Sequence, residues 1–157
     1  MTTIATSLWF ATEAEDAARF YCDAIPGARL GEIMRMPAGG PGPEGAAMLV
    51  SFTIGGAECL AMNGNPQPGF TAGVSLVATC ADQAELDHVW NALLAGGKAM
   101  ACGWLQDRFG VAWQVVPAAL PRLMQAGTPA QRSRVMAALM QMVKIDVATL
   151  EAAFHAS

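Results

Sequence analysis

Two histidines, four cysteines and thirteen acidic residues are the first side chains to test for chemistry in this 157-residue sequence. His88 falls in a helical stretch and His155 close to the C-terminus. Both read as surface histidines, because a catalytic metal site draws about three protein ligands together. Cys22, Cys59, Cys80 and Cys102 lie far apart with no C-x-x-C pair, and read as free, mostly buried thiols. A nucleophilic thiol needs a basic neighbour or a helix N-terminus to lower its pKa. Cys59 follows Glu58, which works against that; Cys102 opens a turn near Lys98 and Arg108 and is the better candidate. Glu13, Glu15 and Asp16 read as helix-start charges, while Glu58 and Asp107 fall where a cleft rim is expected. Asp107 is expected to shape a hairpin turn. No two carboxylates are spaced for general acid–base work.

These residues sit in a chain that is 54% hydrophobic and only 14% charged, with a net charge of −4. Such a composition excludes disorder and leaves apolar surface for a partner to cover; a second copy is the simplest partner. Lys and Arg are scattered, so nothing resembles the basic footprint of a nucleic-acid binder. No stretch is long and apolar enough to cross a membrane. The opening Met1-Thr2-Thr3-Ile4 leads directly into strand-like sequence, so the expected setting is the reducing cytoplasm.

The elements that must position any site follow from periodicity and punctuation. Ile4–Phe10 is rich in strand formers, and Thr12 stands where a helix N-cap belongs. Ala14, Ala17, Ala18 and Tyr21 then recur at helical spacing until Pro26-Gly27. Arg29–Met36 reads as a strand, Pro37–Pro43 as a break, and Ala47–Ile54 and Glu58–Met62 as strands joined by a Gly55-Gly56 hairpin. The order then repeats. Val74–Cys80 is a strand, Asp82 caps a helix facing inward with Leu86, Val89, Trp90, Leu93 and Leu94, and Gly96-Gly97 stops it. A short strand at Lys98–Ala101, a segment at Gly103–Gln106, a turn at Asp107–Gly110 and a strand at Val111–Val116 complete the second half. Beyond Pro117, Thr128-Pro129 starts a helix and Asp146 caps a last one bearing Leu150 and Phe154. These apolar helices must pack on their own sheet or on a second subunit.

Four segments resemble one family. They are Ser7-Leu8-Trp9-Phe10, Ala17-Ala18-Arg19-Phe20-Tyr21, Ala61-Met62-Asn63-Gly64 and, most specific, the run from Cys102-Gly103-Trp104 through Asp107-Arg108-Phe109-Gly110 to Trp113-Gln114-Val115-Val116-Pro117. The likeness extends into Arg134-Val135-Met136-Ala137-Ala138-Leu139-Met140-Gln141-Met142. The chain is similar to the PhnB-like branch of the glyoxalase/bleomycin-resistance/dioxygenase (vicinal oxygen chelate) superfamily, whose members often carry the label 3-demethylubiquinone-9 3-methyltransferase domain. The resemblance implies an α+β fold of two βαβββ modules with curved mixed sheets and a C-terminal helical tail. The expected bounds are 1–66, 67–117 and 118–157. It also implies a cleft in each module and, usually, a homodimer.

Metal enzymes of that superfamily take His and Glu ligands from inward-facing strand positions, where the metal polarises substrate oxygens. Mapped onto this sequence, those positions fall near Thr6, Ser75, Asn63 and Gln114. All four are neutral hydrogen-bonders and poor ligands for Zn²⁺, Fe²⁺ or Ni²⁺, so neither a metal nor any other cofactor is expected. Trp9, Phe52, Trp104 and Trp113 are candidates for the apolar and stacking surface of the cleft, with Cys102 beside them, although aromatics on strands more often serve as core. Methyl transfer is not expected either. No G-x-G-x-x-G turn follows a strand, and Gly39-Gly40-Pro41-Gly42 is broken by proline and has no helix to receive it. The expectation is a protein that holds a small, partly apolar molecule in a metal-free cleft. The alternatives are an atypical enzyme working through Cys102, Glu58 or a non-standard metal, and a dimerising scaffold with a soft surface of Met124, Met136, Met140 and Met142.

Overall fold

The computed structural model describes residues 2–156 and divides into two compact units, Met1–Gly69 and Phe70–Ser157. The first unit runs β1 (Thr6–Trp9), α1 (Ala14–Ala24), β2 (Arg29–Arg35), β3 (Ala47–Ile54) and β4 (Ala57–Met62). Its sheet has the order β1-β4-β3-β2, with β1 parallel to β4 and the other pairs antiparallel. Ala14, Ala17, Ala18, Tyr21 and Ala24 form the buried stripe of α1, three to four residues apart. They meet Leu8, Val50, Phe52, Cys59 and Ala61, the alternate residues on one face of the sheet. Gly55 (φ 55°) and Gly56 (φ 80°) both take positive φ, as the tight turn between β3 and β4 requires.

The second unit repeats this plan with β5 (Leu76–Cys80), α2 (Gln83–Leu94), β6 (Lys98–Ala99), β7 (Trp104–Gln106) and β8 (Ala112–Pro117). Its sheet order, β5-β8-β7-β6, matches the first position for position, again with one parallel pair. Leu86, Val89, Trp90 and Leu93 of α2 are buried, each contributing roughly 1.5–3 kcal/mol of apolar burial. Asp82 accepts from the Glu85 amide at 2.9 Å, the cap expected at that position. Gly97 is needed after this helix because a Cβ there would stand 2.3 Å from the Gln106 carbonyl oxygen.

Three further helices follow: α3 (Ala119–Ala126), α4 (Pro129–Leu139) and α5 (Val147–His155). The sequence reading covers α3 only as part of the helical tail; its Pro121 lies in the first turn, where the absent N–H leaves no bond unmade. Thr128 and Gln131 cap α4 reciprocally, and Asp146 caps α5. These helices pack within their own unit. The amides of Cys102 and Gly103 donate to the carbonyls of Met142 and Val143 at 2.9 and 2.8 Å, and Ile145 is fully buried. The Gln83 side chain donates to the Ile145 carbonyl and accepts from the Val147 amide, and Lys144 pairs with Asp87 at 2.7 Å. All four cysteines are free, and no helix among the described residues is long and apolar enough to cross a membrane.

Candidate functional site

Alternation along β5, β7 and β8 decides which candidate side chains reach the open face of the second sheet. Leu105, Trp113 and Val115 turn toward α2 and are buried, so Trp104, Gln106 and Gln114 turn the other way and are half-buried. Trp104 stands opposite Gln114 in the register, and Val77 stands opposite Gln114 from the other side. The Gln114 amide donates from Nε2 to Ser75 Oγ at 2.9 Å. Three of the residues singled out in the sequence, Ser75, Trp104 and Gln114, thus form one polar and aromatic patch. Val77, 55% exposed, belongs to it and was missed. The signal was present: Ser75, Val77 and Thr79 alternate on a strand whose other face ends in buried Cys80.

Trp113 is not part of that patch. It lies in the core, and its Nε1–H donates at 2.9 Å to the buried Asp107 carboxylate, whose other oxygen accepts from the amides of Phe109 and Val111. Asp107 therefore organises the β7–β8 hairpin from inside. Cys102 sits at φ 60°, a left-handed conformation rarely taken by a residue with a Cβ, at the turn bound to the 142–143 segment. Its thiol is free and half-buried. Burial raises the thiol pKa of Cys80 to about 11, with Glu85 and Asp82 adding to it, and also raises those of Cys22 and Cys59. These three thiols are poor nucleophiles.

In the first unit the candidates separate. Phe52 is buried against the Tyr21 ring of α1, with centroids 6.0 Å apart, and is unavailable to a ligand on the open face. Thr6 shares the parity of Leu8 and so lies on the helix-facing side, exposed at the start of β1. The open-face neighbour is Ser7. Trp9 is 44% exposed, stands opposite Met62, and donates from Nε1 to the Asn63 carbonyl at 3.3 Å. Asn63 has a structural task. Its Oδ1 accepts from the Ala14 amide at 2.8 Å and its Nδ2 donates to the Ala47 carbonyl at 2.9 Å. It thereby caps α1 from the end of β4, in place of Thr12, whose own amide donates to Glu13. A residue 49 positions away takes the cap because the parallel β1–β4 pairing brings the end of β4 beside the start of α1.

The metal implied by the resemblance does not fit these residues. No cluster of three or more His, Cys, Asp or Glu among the described residues is placed to hold a metal ion. The residues 39–42 run between β2 and β3 without a helix N-terminus beyond them, so they do not form a cofactor cradle of the dinucleotide type.

The 3-demethylubiquinone-9 3-methyltransferase family model matches residues 2–116. Among solved structures, the chain is 32% identical to the PhnB protein of Bacillus cereus, covering 74% of this chain and all of that one, with a TM-score of 0.69. Protein PA1353 of Pseudomonas aeruginosa is 23% identical over 74% of this chain and 98% of its own, at a TM-score of 0.63. The fosfomycin resistance protein FosX of Listeria monocytogenes shares 13% identity over 84% of this chain and 98% of its own, at 0.50. The last two speak for the fold alone. No curated protein matches the chain. A matched family model over most of the sequence and the identity to the Bacillus cereus protein place the chain in the PhnB-like, 3-demethylubiquinone-9 3-methyltransferase family.

Proposed function

We propose that this chain binds a small, partly apolar molecule on the open face of its second sheet, using Trp104, Val77, Gln114 and Ser75 rather than a metal centre. One observation carries the reading: a hydrogen-bonded Gln114–Ser75 pair flanked by Trp104 and by exposed Val77. A primary amide has two N–H donors and a carbonyl oxygen, and Ser75 uses one donor. The other N–H and the oxygen are left to orient a carbonyl or hydroxyl group, while the indole gives the apolar body a stacking surface. Methyl transfer is outside this reading, because the glycines between β2 and β3 lead into a strand rather than a helix. The proposed setting is a cytoplasmic homodimer. Free thiols support the compartment, and exposed Met34, Met136, Met140 and Val143 support self-association.

The test is native mass spectrometry of untagged protein straight from purification, with any adduct identified after denaturation. The reading expects an adduct of fixed mass that W104A and Q114A lose while W104F keeps it. An adduct indifferent to both substitutions would sink it. So would the absence of any adduct together with a Trp104 indole resonance unmoved by a library of aromatic carbonyl compounds.

A further inference from the structure

A cavity lies in the first unit, lined by residues of that unit alone. It has a volume of about 640 Å³, within the range of small-molecule pockets. Its walls are the first turn of α1, the ends of β2, β3 and β4, and the loop between β2 and β3. Met36, Met48 and Met62 supply thioethers, and Ala11, Pro41, Pro43, Ala46 and Ala47 further apolar surface.

The polar atoms of these walls are largely engaged by one another. Both oxygens of Glu15 are taken by Arg35, and Oε1 by Arg19 as well. Asn63 spends its amide on Ala14 and Ala47. The carbonyls of Ala11, Ala46 and Met48 accept from the amides of Gly64, Met36 and Asn63. The loop is also held in place: Gly45 donates to the Met36 carbonyl, and Gly40 and Gly42 lie so close to the Met36 side chain that a Cβ on either would stand 2.8 or 3.3 Å from it. What is left is a preformed pocket of thioethers, prolines and alanines, with exposed Asp16 and Thr12 at its lining.

From this geometry we infer that the cavity binds a compact, uncharged molecule with an aromatic or otherwise apolar body. Methionine adapts its shape and makes favourable contacts between sulfur and aromatic rings. A charged group entering the same space meets Glu15 and Arg35 already paired with each other, with only exposed Asp16 and Thr12 besides, and so loses hydration for little recompense.

The experiment uses the full chain with its methionine methyls labelled with carbon-13, titrated separately with benzyl alcohol, benzylammonium and benzoate. Saturable shifts at Met36, Met48 and Met62 with benzyl alcohol are expected, with the two charged analogues at least about tenfold weaker. Equal binding of a charged analogue overturns the chemical class. Shifts confined to Met136 and Met140, or none up to the solubility limit, overturn the site. A46F should fill the cavity and abolish the shifts at unchanged circular dichroism. If that variant does not fold, the probe series on the unaltered chain still decides.

Discussion

Replacing Asp107 by alanine should be among the most damaging single changes in the second unit. Its carboxylate is 4% exposed and accepts three hydrogen bonds, from the Phe109 and Val111 amides at 2.9 and 3.0 Å and from Trp113 Nε1 at 2.9 Å. Removing it leaves three N–H groups without their acceptor. An orphaned buried donor costs about 1–3 kcal/mol. Val111 and Trp113 are buried, whereas the Phe109 amide is only partly so and recovers some hydration. The total expected is about 3–5 kcal/mol. D107N should cost less, about 2 kcal/mol, because one oxygen remains while the new NH₂ opposes a donor. W113F removes one donor together with its need for an acceptor. D107N and W113F in contact should therefore couple by at least about 0.5 kcal/mol in a double-mutant cycle. Urea unfolding followed by near-ultraviolet circular dichroism measures all four variants. A loss below about 1 kcal/mol for D107A, or strict additivity of the pair, would refute an Asp107-centred hairpin.

Substituting Asn63 tests the long-range cap of α1: N63A should cost about 1–2 kcal/mol in urea unfolding, and N63D should recover only part of that, because it keeps the acceptor for the Ala14 amide but sets an oxygen against the Ala47 carbonyl. Glu15 is held below the usual carboxylate range, first by its bond to Arg35 and then by Arg19. Its contribution is thus complete above the ordinary glutamate value and is lost as acidification passes through the lowered one. Since both arginines are about half exposed, the contribution stays below about 1 kcal/mol, and E15Q should flatten only the acid limb of a stability–pH curve. Raised sensitivity to acid in E15Q would contradict the assignment. Cys80, with its pKa pushed up to about 11, should resist iodoacetamide at pH 8 in the folded protein and react once urea unfolds it. Because the unfolded thiol releases its proton first, Cys80 subtracts stability as pH rises above its ordinary value of 9.0. Mass mapping that finds Cys80 alkylated in the folded protein as fast as in urea would show that the strand end is open.

The paired order of elements was legible in the chain because each one is marked locally. Ala14, Ala17, Ala18 and Tyr21 repeat at the helical period, Gly55-Gly56 supplies the two positive-φ residues of a hairpin, and Asp82, Thr128 and Asp146 cap within three residues of themselves. The family resemblance was legible too, concentrated in the run from Cys102 to Pro117. The placement of the candidate residues was less legible. Ser75, Trp104 and Gln114 lie together on one face of the second sheet, whereas Phe52 and Trp113 are core and Thr6 lies on the helix-facing side. The reason is physical. A strand's period of two says that neighbours face opposite ways, but which face a helix covers is decided by packing. The same holds for Asn63, which a local reading assigns to a cleft and the parallel β1–β4 pairing turns into a helix cap. Local signals of hydrogen bonding and periodicity act over a few residues and survive in one dimension. Burial, register partners and the methionine-lined cavity of the first unit depend on contacts between distant segments, and those exist only once the chain has folded.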